Sequence, residues 1–162
     1  MLYIFVLFVC LIGLSAFYVK APILGELPQK PDFEIEVDTA QLEADVYYLA
    51  DSCYPRCFEN QEMLNKAASY VNDRFEKMGY LTEKQYYKAK KIPHHNIIAQ
   101  IGPATDKVIV IGAHYDVCGE QSGADDNGSA VAGLLALAEL AKKHEKMLTT
   151  RIEFVAYTLE EP

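Results

Sequence analysis

The feature that most narrows the fold is the order of three segments in the second half of the chain. Residues 107–113 (KVIVIGA) form a continuous apolar run of strand length, the pattern of a strand buried on both faces. Residues 129–144 repeat Val131, Leu134, Leu135, Ala138 and Ala141 at helical spacing, and residues 151–158 (RIEFVAYT) form a second, largely apolar strand. Strand, helix, strand in this order predicts a βαβ unit, with parallel strands in a sheet covered by helices. Functional groups in such sheets gather beyond the carboxyl ends of the strands, so the residues just after each strand carry the most information.

The first half supplies the approach to that unit. Leu42, Val46 and Leu49 repeat at helical spacing from Thr39 onward. A second helix is predicted after an Asn60 cap, with Met63, Leu64, Ala67, Ala68, Val71, Phe75 and Met78 as its apolar stripe and Gly79 as its stop. Two strand-like stretches follow, residues 81–87 and 96–101, separated by a basic turn over 88–95. Residues 20–38, with Pro22, Pro28 and Pro31, read as an extended linker.

Ahead of the linker, every side chain in residues 1–19 is apolar except Gly13 and Ser15, and none is charged. As a helix that run would be about 28 Å long, close to the hydrocarbon thickness of a bilayer. It predicts a transmembrane anchor or a cleaved signal, and either reading carries residues 39–162 out of the cytoplasm. Cys53 and Cys57 bracket a Tyr-Pro-Arg turn, either as a local disulfide in an oxidising compartment or as two thiols. The formal charge of −8, without a Lys/Arg stripe, argues against nucleic acid as a partner and makes strongly acidic substrates slower to approach.

Both second-half strands run into ligand-type residues. The first ends in His114-Tyr115-Asp116 and the second is followed by Glu160-Glu161, while the intervening loop reads Gly123-Ala124-Asp125-Asp126-Asn127-Gly128-Ser129. Each motif alone has a plain structural reading: a polar turn, an N-cap and a solvated loop. Together the plain readings fail, because clustered carboxylates repel one another and raise their pKa values unless a cation lies among them. Nitrogen and oxygen donors of this kind suit Zn²⁺.

HYD, then GADDNGS, then a helix, then RIEFVAYTLEE resembles the zinc-binding half of the co-catalytic dizinc exopeptidases, metallopeptidase family twenty-eight. The similarity extends upstream through Asn96-Ile97-Ile98-Ala99, the 60–79 helix and the Pro55-Arg56 turn. The resemblance implies a three-layer α/β/α sandwich around a mixed, largely parallel sheet, with residues 39–162 as its N-terminal part. It implies two zinc ions and a peptide substrate. His114 is similar to a ligand of one zinc, Asp126 to the carboxylate bridging both, and Glu161 to a ligand of the other. Glu160 resembles the general base, and Asp116 the residue that fixes the His114 ring through its second nitrogen. Asp125 matches no role. A cis peptide is implied at Asp126–Asn127.

The resemblance therefore implies a metallo-exopeptidase, most simply an aminopeptidase, in which paired zinc ions activate water and Glu160 handles its proton. Two further family ligands, an Asp and a His, would follow the Glu pair, so residues 1–162 alone are expected to hold an incomplete site with little or no hydrolysis. Two other functions compete: a non-catalytic receptor or scaffold relative, and a single-zinc glutaminyl cyclase. Oligomeric state leaves no trace in the sequence.

Overall fold

The computed structural model describes residues 35–161. The apolar run at 1–19 lies outside the described residues, and of the linker only residues 35–38 fall within them. Among the described residues, no helix is long and apolar enough to cross a membrane.

Helix α1 (Thr39–Tyr47) starts where Asp38 accepts a hydrogen bond from the Gln41 amide at 3.0 Å, a side-chain N-cap. A single wide turn (Tyr48–Ser52) extends it and buries Leu49. Helix α2 (Gln61–Lys77) begins at the predicted Asn60 cap, whose Oδ1 accepts from the Met63 amide at 3.2 Å. The chain leaves α2 through Gly79 at φ +85°, a left-handed position that glycine adopts without penalty. Leu64, Ala67, Ala68, Val71 and Phe75 form its buried stripe, as the spacing predicts. Asp45 of α1 is buried, yet paired: Arg74 Nη2 of α2 lies 3.1 Å from its Oδ2, and Tyr70 donates to its Oδ1. Removing one partner would strand a buried charge, so this pair fixes how α1 and α2 meet.

Four strands follow: β1 (Thr82–Ala89), β2 (Ile92–Ile101), β3 (Val108–His114) and β4 (Arg151–Tyr157), with helix α3 (Ala130–Lys143) between the last two. Their order across the sheet is β1-β2-β4-β3. The predicted βαβ unit is present, since β3 and β4 pair in parallel with Ile111 opposite Phe154. The other two ladders are antiparallel, so the described sheet is mixed and not largely parallel. The reason is β2, which enters between β1 and β4 and meets both head-to-tail.

Two further expectations change. β1 and β2 form one continuous hairpin closed by only Lys90 and Lys91, both at positive φ (48° and 71°), so His94 and His95 lie within β2. β3, expected to be buried on both faces, is an edge strand among the described residues, and Val110 is 54 % exposed. Helices α2 and α3 pack against one sheet face, where Ile97, Ala99, Ile101, Phe154 and Ala156 meet Val71, Phe75, Val131 and Leu135, and α1 packs on α3. Burying each large side chain there contributes about 1.5–3 kcal/mol. The described residues thus form two layers of the expected three.

Candidate metal centre

The carboxyl ends of β3 and β4 lie side by side, and the ladder continues one step beyond β3 as the Tyr115 amide donates to the Tyr157 carbonyl at 2.8 Å. His114, the last residue of β3, is buried and directs its ring out of the end of the sheet. Its Nε2 lies 3.2 Å from Asp126 Oδ1 and 3.8 Å from Glu160 Oε2. Single ligand atoms of His114, Glu160 and Glu161 all fall within 4.8 Å of one another. His114, Glu160 and Glu161 thus meet at one point, and Asp126 stands against the His114 ring. The three-residue group contains Glu160 beside Glu161, and Asp126 reaches it through the histidine.

Asp126 is delivered by an irregular turn, residues 124–129. It opens at Gly123 in the left-handed region (φ +61°), and the Gly128 amide donates back to the Gly123 carbonyl at 2.9 Å. A Cβ at Gly123 would lie 2.1 Å from Val117 Cγ1 and 2.7 Å from Asp126 O, so only glycine fits. The Asp126–Asn127 peptide is cis, as the resemblance implies. The N-cap reading of the acidic run does not hold: no side chain caps the first turn of α3, and Ser129 Oγ instead donates to Asp125 O at 2.8 Å. Asp126 stays 68 % exposed and Glu160 61 %, open toward the common point.

The Glu pair is held from three directions. Asp116, buried, accepts the Glu160 amide on Oδ1 at 3.2 Å and the Glu161 amide on Oδ2 at 3.0 Å. Asn96 of β2 accepts the Thr158 amide at 3.0 Å, and the Tyr87 hydroxyl of β1 donates to the Thr158 carbonyl. Leu159 between them sits at φ +58°, where a branched side chain is strained by about 1–3 kcal/mol. Asp116 also stands at the second nitrogen of His114, the place the resemblance implies, though mainly through its main chain. Its carboxylate Oδ1 is 3.7 Å from His114 Nδ1, beyond hydrogen-bond reach, and the ring instead meets the Asp116 carbonyl oxygen at 3.3 Å. The two amides that follow the strained leucine have taken the carboxylate.

Electrostatics fit a cation. Partial desolvation, with Asp126 and Glu160 nearby, pushes the Glu161 carboxyl above its ordinary value, and only His114 pulls the other way. Nitrogen and oxygen donors gathered at that distance are the set Zn²⁺ takes.

Beneath the site lies a residue whose role the sequence did not disclose. Arg56 is fully buried and donates to four main-chain carbonyls: Tyr115 at 2.8 Å, Leu49 at 2.9 Å, Ser122 at 2.7 Å and Gly123 at 2.7 Å. It joins the wide turn after α1, the end of β3 and the start of the Asp126 turn. Burial lowers its pKa, which Cys53 and Asp116 partly oppose. The resemblance marked the Pro55-Arg56 turn but not this role, since three of its four acceptors lie more than fifty residues away and leave no periodicity. Cys53 and Cys57 flank this turn as buried free thiols.

Residues 96–162, which contain the whole cluster, match Peptidase family M28. Through that segment the chain belongs to Peptidase family M28. It is 38 % identical over 165 residues to the uncharacterized protein YfbL of Escherichia coli (strain K12), covering 97 % of this chain and 49 % of that protein. The M28 chain thus spans about half the length of the relative it matches. Its fold is similar to that of a glutaminyl cyclase from Fimbriiglobus ruber (TM-score 0.68, 22 % identity, 83 % of this chain and 50 % of that one). A leucine aminopeptidase precursor from Bacteroides thetaiotaomicron is equally similar (TM-score 0.67, 21 % identity, 78 % and 49 %). At these identities the two structures establish the fold alone.

Proposed function

We propose that this chain contributes the zinc-binding half of an exopeptidase site, most simply an aminopeptidase, and that His114, Asp126 and Glu161 hold metal while Glu160 is the general base. The observation that supports this is the gathering of His114, Glu160 and Glu161 at the ends of β3 and β4, with Asp126 3.2 Å from the His114 ring. Zinc held there would supply Lewis acidity toward the scissile carbonyl and the attacking water. The chain's own residues do the rest. The Asp116 carbonyl at Nδ1 favours the tautomer that leaves His114 Nε2 as a donor of electrons toward the cluster. Asp116 orients both Glu amides, so the neighbouring carboxylates take different directions after Leu159. Glu160, exposed, held through its main-chain amide and 3.8 Å from His114 Nε2, accepts a proton from water and returns it to the departing amine. The deciding experiment assays the zinc-loaded full reading frame on Leu-Ala-Ala-amide. Chelator-sensitive release of leucine, lost in Glu160→Gln at unchanged zinc content, is expected; unchanged turnover in that variant contradicts the base assignment.

A second reading is supported by the fold, which matches a glutaminyl cyclase as well as it matches an aminopeptidase precursor. Cyclisation of a glutaminyl peptide without release of any amino acid would favour it. The zinc content also differs, since the peptidase reading expects two ions and the cyclase reading one.

A further inference from the structure

The β1–β2 hairpin reaches further than its neighbour. The last β2–β4 pair is Ile97 with Ala156, and the hairpin continues from Ile97 back to Ile92, about 17 Å at the rise of a strand. That arm overhangs the same carboxyl edge on which Glu160 and Glu161 sit. Tyr87 moors it by donating to the Thr158 carbonyl, and Tyr115 moors its other strand by donating to the His95 carbonyl at 2.7 Å.

The arm's tip is chemically unlike the rest of this acidic chain. Lys88, Lys90 and Lys91 are all exposed there, and no carboxylate of the described residues lies within ion-pair distance of any of them. A two-residue hairpin with both φ values positive favours Asn-Gly, and a lysine at either position is a poor local choice. Departures from local preference of this kind concentrate at functional positions. Lys90 folds back over the Phe58 ring (4.7 Å), which stacks on His94 at 5.6 Å. His94 is buried, and its Nε2 has no hydrogen-bond partner among the described residues.

We propose that this tip, Lys90 and Lys91 with Phe58 and His94 beneath them, is a carboxylate subsite that selects peptides carrying negative charge beyond the scissile bond. The proposal rests on the exopeptidase reading and names its substrate class. A free α-carboxylate of a short peptide and an acidic side chain share the chemistry. The chain's overall negative charge does not oppose it at contact range, because charges more than about 8 Å apart are largely screened at physiological salt.

The test measures affinities of the full reading frame by ligand-observed NMR with chelator present, so that no turnover intervenes. Four probes suffice: Leu-Ala-Ala as the free acid, the same peptide amidated, and amidated Leu-Glu-Ala and Leu-Lys-Ala. The free acid or the glutamyl peptide should bind about fivefold tighter than the neutral amide, less so at high salt, and the lysyl peptide should bind most weakly. Preference for the free acid alone assigns the subsite to the peptide terminus, and preference for the glutamyl peptide assigns it to a side chain. The double variant Lys90→Asn with Lys91→Gly should fold more stably, since it suits the turn, and should lose the preference. Equal affinities for all four probes, or a preference unchanged in the double variant, overturn the proposal. Absence of leucine release from every peptide in a parallel zinc-loaded assay, with the preference intact, would instead remove the exopeptidase reading and leave the subsite standing.

Discussion

Two charged groups stand on opposite sides of the same turn, and they are treated differently. Arg56 below residues 122–123 is fully buried and has committed its donors to four carbonyls. Asp126 and Glu160 above it remain more than half exposed, and each carboxylate faces the His114 imidazole. The lower group shapes the backbone. The upper groups are carried by it and are left with capacity for a cation. Stability and chemistry are thus separated by one layer of main chain, and substitutions on either side should have different signatures.

The largest effect is expected below. Arg56→Leu leaves four carbonyls without donors in a dry setting, and denaturant unfolding should show a loss of about 4 kcal/mol or failure to fold. If stability changes by less than about 1 kcal/mol, the joining role assigned to Arg56 is wrong.

Asp116 sits between the two layers and should register in both. Asp116→Asn keeps one acceptor and loses the second, so unfolding should show a loss of about 1–2 kcal/mol. Zinc affinity should fall about 10- to 100-fold as the Glu160–Glu161 segment loosens. A stability loss with zinc affinity intact would confine Asp116 to the lower layer.

The smallest effect sharpens the picture at the hairpin. Burial holds the pKa of His94 below its ordinary value, with Asp116 opposing, and burial together with Lys84 and His94 does the same for His95. The unfolded chain therefore takes up these protons first as pH falls. The stability they contribute is full above the ordinary histidine pKa of about 6.5 and is lost progressively below it. Unfolding measured at pH 7.5 and pH 5.5 should show a drop, and a smaller drop in His94→Phe. Equal drops in the two proteins would remove His94 from the account.

The candidate site was legible because its residues sit at strand ends and before a helix, where local apolar patterning locates them: HYD after KVIVIGA, the Glu pair after RIEFVAYT, ADDN before the helix. The α2 cap and stripe were legible for the same reason. Sheet order was not, because the apolar pattern of β2 is the same whether it lies at an edge or between β1 and β4. The edge position of β3 followed from that. The tight lysine turn was hidden by its own chemistry, since its residues are not those a positive-φ pair favours. Arg56 and the carboxylate of Asp116 act on acceptors and donors far along the chain, and no spacing rule reaches them.

The central claim is that His114, Asp126 and Glu161 hold a cation beside Glu160. Calorimetric titration of zinc into the full reading frame and into Asp126→Asn tests it most directly. The account predicts saturable binding that weakens at least tenfold in the variant, with the denaturant midpoint of the metal-free protein little changed because Asp126 lies in the exposed layer. Identical zinc affinity in the two proteins would contradict it.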